Sequence, residues 1–243
     1  MRVVAIIQAR MNSSRLPGKV LADVGGRTML ARAVRRASRA RLVDHLVVAT
    51  GRGEADDPVD REAGRLGAAC VRGCEEDVLD RFRQAAHVAR ADVVVRITAD
   101  CPLIDPGVID QVIKAFLESR PDYASNTLHR SWPRGLDTEV FSTAALEEAW
   151  RRATEAYERV HVTPYLYRHP ERFRLLPVAG PHQLSHWRWT VDCPDDLELV
   201  RRIYLLLGRD DLFSWHDVRR LLMQLPELAE LNRHVRQKAL VEG

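Results

Sequence analysis

The segment Ile6 to Lys19 reads I-I-Q-A-R-M-N-S-S-R-L-P-G-K. An apolar run, Val3 to Ala9, gives way to a polar loop carrying Arg10, Arg15 and Lys19. Small Ser13, Ser14 and Gly18 let backbone N–H groups approach an anion, and Asn12 tolerates a left-handed turn. Arginine offers a bidentate fork to phosphate oxygens, and lysine a compact point charge. Cations crowded beside a strand end repel one another unless an anion joins them, so the segment points to a bound polyphosphate. Lysine otherwise occurs only at Lys114 and Lys238, so abundance does not explain Lys19.

Two Asp-Cys-Pro tripeptides form the second signal. Thr98-Ala99-Asp100-Cys101-Pro102 follows one apolar run, and Thr190-Val191-Asp192-Cys193-Pro194 follows another. Each proline stops a strand and leaves its aspartate at the carboxyl edge of a sheet, where open α/β folds bind ligands. Two carboxylates facing a triphosphate suit Mg²⁺, which takes few protein carboxylates plus phosphate oxygens. Asp100 and Asp192 are therefore expected to meet in space. The alternative is that Asp100 caps a turn and Asp192 begins a helix.

Better-known phosphate loops do not fit. Gly18-Lys19 lacks the upstream Gly and the following Ser/Thr of a P-loop, and Gly51-Arg52-Gly53 lacks the third glycine of a dinucleotide fingerprint. His182-x-x-x-His186 has metal-ligand spacing but sits at a strand start, which disfavours zinc.

The region from Asn126 to His161 is rich in groups suited to a polar acceptor. Asn126, Asp137 and Glu139 fall at strand or loop ends. Glu158 and His161 share one helix face at i, i+3. Leu128-His129-Arg130-Ser131-Trp132-Pro133-Arg134 offers two guanidinium groups as a carboxylate clamp. Trp187 and Trp189 alternate along an expected strand and read as packing.

Strand and helix patterns alternate, which predicts a mostly parallel sheet covered by helices. Strands are expected at Val3–Ala9, His45–Thr50, Ala68–Val71, Asp92–Thr98, Tyr123–Asn126, Thr138–Phe141, Phe173–Val178 and His186–Val191. Helices are expected at Thr28–Arg41, Asp57–Leu66, Glu75–Ala89, Pro106–Ser119, Ser142–Ala153, Tyr157–His169, Asp195–Leu207 and Trp215–Leu231. The arginine face of the Thr28–Arg41 helix reads as solvated. One domain over 1–243 is expected, with an acceptor-binding subregion at about 122–180 and a helical extension at about 209–243.

The 243 residues suffice for a large α/β core, and a net charge of +3 is too small to argue for nucleic acid. No apolar stretch is long enough for membrane insertion. Cys70, Cys74, Cys101 and Cys193 lack the spacing of a disulfide framework or a CxxC zinc site, which suits reduced thiols in the cytoplasm.

With these motifs in hand, the chain resembles the cytidylyltransferase-like glycosyltransferases typified by spore coat polysaccharide biosynthesis protein F, relatives of the CMP-sugar synthetases for KDO and acylneuraminate. The likeness runs through Ile6–Lys19, Val47–Thr50, Arg72-Gly73 to Val78-Leu79-Asp80-Arg81, Thr98–Leu103, Ser125–Thr127, Gly135–Val140, Glu158–Tyr165 and Trp189–Asp192. It departs from the family pattern at Asn12, Gly51 and Cys74. The resemblance implies a nucleotide-diphospho-sugar transferase-like (GT-A-type) α/β fold, with a mixed, mostly parallel sheet and helices on both faces. It implies nucleotide binding by Ala9, Arg10, Ser13, Ser14, Arg15, Lys19, Thr50 and Arg72, with Arg10 and Lys19 on the triphosphate and Arg72 near the pyrimidine. Asp100 and Asp192 would hold Mg²⁺ and, with Arg10 and Lys19, carry catalysis. The implied reaction moves CMP from CTP, or another nucleoside triphosphate, to a sugar-type acceptor in surface polysaccharide synthesis. Two rivals are transfer to a sugar or polyol phosphate and a metal-dependent glycosyltransferase. Leu221, Leu222, Leu225, Leu228 and Leu231 recur at helical spacing, and with the resemblance they point to a homodimer.

Overall fold

A computed structural model describes residues 1–238. One sheet of seven strands runs in the order β3-β2-β1-β4-β6-β5-β7. Its centre is β1 (Val3–Gln8), flanked in parallel by β2 (His45–Gly51) and β4 (Val93–Thr98), with β3 (Ala69–Gly73) beyond β2. β6 (Glu139–Ser142) pairs antiparallel with β4 and with β5 (Tyr123–Ser125), and β7 (Leu175–Pro177) closes the edge parallel to β5. The strands within 122–180 thus continue the same sheet.

β1 is apolar at every position but its last because both faces are covered. Val3, Ala5 and Ile7 point to one side, where α1 (Met29–Ala37), α2 (Asp57–Arg65) and α4 (Pro106–Ser119) pack. Val4 and Ile6 point to the other, against α3 (Val78–Ala89), α5 (Thr143–Arg152) and α7 (Pro164–Arg168). Several of these helices start on side-chain caps: Thr28 accepts from Ala31 N, Asp77 from Asp80 N and Asp105 from Gly107 N and Val108 N. The mostly parallel sheet with helices on both faces agrees with the sequence expectation.

A third apolar cluster joins α8 (Pro194–Leu207), α9 (Trp215–Gln224) and α10 (Pro226–Glu230) to Trp132, Leu136 and Trp189. Leu221, Leu222 and Leu228 are buried in it, with Leu225 and Leu231 packed alongside, so this leucine pattern serves the chain's own core.

Four expectations need correction. His186–Val191 is not a strand: it makes only an isolated bridge between Arg134 and Arg188. Tyr157–His169 is two helices, α6 (Ala156–His161) and α7, parted by Val162 at φ +75° and restarted by Pro164. Trp215–Leu231 is broken at Leu225, ahead of Pro226. The arginine face of α1 is solvated only in part: Arg35 and Arg39 are exposed, but the other two arginines are not. Arg32 and Arg36 are wholly buried, stacked on the Tyr204 and Phe213 rings at 4.1 and 4.6 Å. Arg32 Nη1 meets Asp211 Oδ1 at 2.9 Å, and Arg36 donates to the carbonyls of Ile104 and Phe213. Pairing and hydrogen bonding offset the cost of burying these two cations.

Candidate active site

The parallel strands β1, β2 and β4 end on one edge, and the chain that leaves β1 shapes what lies there. Met11 N is tied to Asp56 Oδ1 at 2.7 Å, and Gly51 N to Asp56 Oδ2 at 2.9 Å. A Cβ at Gly51 would stand 2.3 Å from that second oxygen, so only glycine admits the brace. Asn12 Nδ2 donates to Glu75 Oε1 at 2.8 Å. Gly18, at φ +72°, turns the loop back on itself with Gly18 N on the Met11 carbonyl, and a short 3-10 turn then starts at Lys19.

Lys19 is 8% exposed. Its Nζ donates to Asp100 Oδ2 at 2.8 Å, to Asp192 Oδ1 at 2.8 Å and to the Val191 carbonyl at 2.7 Å. Asp100 follows β4, and Asp192 is drawn to it because Val191 N donates to the Asp100 carbonyl at 2.8 Å. The two aspartates therefore meet, as expected, although no strand delivers the second. Asp192 Oδ2 also takes Arg15 at 2.8 Å and Arg188, and Arg188 Nε holds the buried Asp196 at 2.9 Å. Burial opposes charge on both sides of the Lys19–Asp100 pair, but the contact overrides it. The ammonium keeps the Asp100 carboxyl below its ordinary pKa, and the two carboxylates lift that of Lys19.

Around this centre opens a cleft of about 370 Å³. It is lined by Ala9, Arg10, Ser13, Ser14, Arg15, Lys19, Asp100, Arg134, Asp137, His161 and Asp192 from the sequence-derived set. Arg10 and the side chain of Arg134 make no hydrogen bond or ion pair among the described residues. Burial and the nearby Arg130 guanidinium pull the pKa of Arg134 down. Arg130 itself stands behind, its fork closed on Asp137 at 2.6 and 2.9 Å.

Other named residues lie outside the cleft lining. Thr50 is buried at the end of β2. Arg72 turns away, bound to the carbonyls of Gly51 and Gly53 and to Asp57. Asn126 braces the β5–β6 connection through the Leu136 carbonyl and Thr138 N. Glu139 lies beneath, held by Arg96, Tyr123 and Thr163. Glu158 turns back to the first residue before α6, accepting from Glu155 N.

Sequence reasoning missed Arg81 and Arg96, which also line the cleft. Arg81 is 1% exposed. Its Nη1 donates to the Cys74 carbonyl at 2.8 Å, its Nε is buried without a partner, and it makes no ion pair among the described residues. A Cβ at Gly73 would stand 3.0 Å from Arg81 Cγ, so the glycine lets the guanidinium reach this position. The signal was present in the Val78-Leu79-Asp80-Arg81 motif but lay on an amphipathic helix, where arginine ordinarily faces water.

A cationic loop and paired aspartates around one cleft at the strand ends call for comparison with known nucleotide enzymes. The Cytidylyltransferase family model matches residues 4–208. The chain belongs to the cytidylyltransferase family. It is 33% identical to spore coat polysaccharide biosynthesis protein SpsF of Bacillus subtilis, over 93% of this chain and 96% of that protein. It is 34% identical to the 3-deoxy-manno-octulosonate cytidylyltransferase of Solibacter usitatus, over 84% of this chain and 94% of the relative. Among solved structures, a cytidylyltransferase from Leptospira borgpetersenii superposes with a TM-score of 0.91 at 29% identity, over 98% and 99% of the two chains. As a family member the chain is a nucleotidyltransferase, and no helix among its described residues is long and apolar enough to cross a membrane.

Proposed function

We propose that this cytidylyltransferase moves CMP from CTP to the hydroxyl of a small sugar-type acceptor bearing an anionic group, releasing pyrophosphate, in surface polysaccharide synthesis. The observation that carries this reading is the pair of guanidinium groups, Arg10 and Arg134, that line one cleft with Lys19, Asp100 and Asp192 and make no ion pair among the described residues. Guanidinium groups that no carboxylate closes on, in a partly dry cleft, fit a ligand that is itself anionic at both ends.

The triphosphate lies along the loop Arg10–Lys19, with Ser13 and Ser14 beside it. The acceptor oxygen attacks the α-phosphorus, its hydroxyl proton is lost, and the bond to the β-phosphate bridging oxygen breaks. Arg10, Arg15 and Lys19 hold the charge that moves onto pyrophosphate. Arg134 fixes the acceptor's anionic group, and Asp137 and His161 contact its hydroxyls.

The donor set fits a magnesium ion. Asp100 and Asp192 are hard oxygen ligands sharing one neighbour, Lys19, and Asp100 Oδ1 accepts a long contact from the Cys101 thiol at 3.6 Å. Such an ion would supply charge neutralisation at the phosphates, and Lys19 and Arg15, paired with the aspartates here, would turn to phosphate oxygens.

The test is pyrophosphate release on mixing the protein, CTP and Mg²⁺ with acidic sugars, neutral sugars and sugar phosphates. Release that depends on an acidic sugar supports the reading. Release confined to sugar phosphates moves the acceptor to the phosphorylated class, and a sugar transferred from a nucleotide sugar without pyrophosphate refutes the reaction.

A further inference from the structure

The family match ends at residue 208, yet the chain returns to the cleft beyond it. Asn232 is 3% exposed, and its Nδ2 donates to the Arg188 carbonyl and to Asp196 Oδ1, both at 2.8 Å. Further on, Gln237 Oε1 accepts from Arg188 Nη1 at 2.6 Å. Lys238 Nζ then donates to Ser14 Oγ at 3.4 Å, and both Gln237 and Lys238 line the cleft.

We infer that the segment from Asn232 to Lys238 forms one wall of the nucleotide site, with the Lys238 ammonium binding the terminal phosphates of the triphosphate. This rests on the cytidylyl-transfer reading above. Arg15 and Lys19, the neighbouring loop cations, pair with Asp192 and Asp100, so their charge reaches phosphate only in exchange for those contacts. Lys238 makes no ion pair among the described residues and stands over the small serines that let phosphate approach. Its anchor is firm: Asn232 and Gln237 grip both the backbone and the side chain of Arg188, the residue that also holds Asp192. An ammonium brought to this place adds charge where the β- and γ-phosphates collect it and leaves the α-phosphate and the nucleoside untouched.

That division supplies the test. Binding of inorganic pyrophosphate, CTP and CMP is measured by calorimetry for the full-length wild type, Lys238→Ala and Lys238→Arg, with the unfolding midpoint of each. The expected result is roughly five- to tenfold weaker pyrophosphate and CTP binding by Lys238→Ala, with CMP binding and unfolding midpoint unchanged and Lys238→Arg close to wild type. Equal pyrophosphate binding by wild type and Lys238→Ala overturns the inference alone. Equal weakening of CMP and CTP overturns it too, because the segment would then shape the site without touching phosphate. A wild type that binds neither CTP nor pyrophosphate removes the cytidylyl-transfer reading, and the inference with it.

Discussion

Lys19 and Asp100, separated by 81 positions in sequence, meet at 2.8 Å, and the same ammonium reaches Asp192 at 2.8 Å. Three segments of chain are thereby fastened at the carboxyl edge of the sheet: the loop after β1, the end of β4 and the approach to α8. The contact neutralises buried charge, and on the proposed function it also gathers the groups that meet triphosphate and metal.

Replacing Lys19 tests the chemical half. Lys19→Met removes a charge aimed at the leaving pyrophosphate, at a cost of roughly 2–4 kcal/mol in transition-state stabilisation. The expected outcome is a fall in kcat/KM for CTP of roughly 30- to 10³-fold. Steady-state kinetics with the true acceptor check this, and wild-type turnover would remove Lys19 from catalysis.

The structural half is visible in pH dependence. The Asp100 pKa is depressed, so its contribution to stability is present above the unfolded value of ~3.9 and is lost as pH falls through the folded value. The Lys19 pKa is raised, so its contribution is present below ~10.4 and is lost as pH rises through the folded value. Thermal unfolding across pH should show both limbs in the wild type. Asp100→Asn should flatten the acid limb, and an acid limb of unchanged steepness would show that other carboxylates govern it.

Arg134 and Arg130 should separate in kinetics. Arg134 is open to the cleft, whereas Arg130 is closed on Asp137. Arg134→Ala is expected to raise acceptor KM roughly tenfold or more with CTP KM unchanged, equivalent to one charge-assisted contact. Arg130→Ala should have a smaller effect on acceptor KM. An unchanged acceptor KM in Arg134→Ala would end the case for an anionic acceptor.

Arg32 offers a test remote from chemistry. Removing one partner of a buried pair strands the other, so Arg32→Met should destabilise by roughly 3–5 kcal/mol by leaving Asp211 short of a counter-charge. Arg35 and Arg27 also approach Asp211, but both are substantially exposed and replace little of that contact. Denaturant unfolding gives the value, and a loss under 1 kcal/mol would mean the surface arginines suffice.

The central sheet and both aspartates were legible because the physics is local. Unbroken apolar runs mark strands buried on both faces, and a proline after each Asp-Cys marks where the chain must turn. The burial of Arg32, Arg36 and Arg81 was not legible, because helical spacing of arginine reads the same whether water or a carbonyl cage lies opposite. The ends of α6 and α7 depend on Val162 at φ +75°, a conformation no propensity assigns to a β-branched residue, although Pro164 was a usable sign. The run His186–Val191 alternates like a strand yet joins no sheet. Trp187 and Trp189 stack 6.0 Å apart instead, with Trp189 buried against the C-terminal helices. Arg72 was placed by likeness alone, and Asp57 with two backbone carbonyls claims it here.

The most direct measurement follows the fate of the α-phosphorus. CTP, Mg²⁺ and an acidic sugar acceptor are incubated with the protein, and the phosphorus resonances are recorded by NMR as the reaction runs. The expected result is conversion of the α-phosphorus into a CMP phosphodiester on the sugar, with pyrophosphate appearing in equal amount and neither product formed by Lys19→Met at a comparable rate. Appearance of CDP, or of inorganic phosphate without a CMP-sugar signal, would contradict cytidylyl transfer.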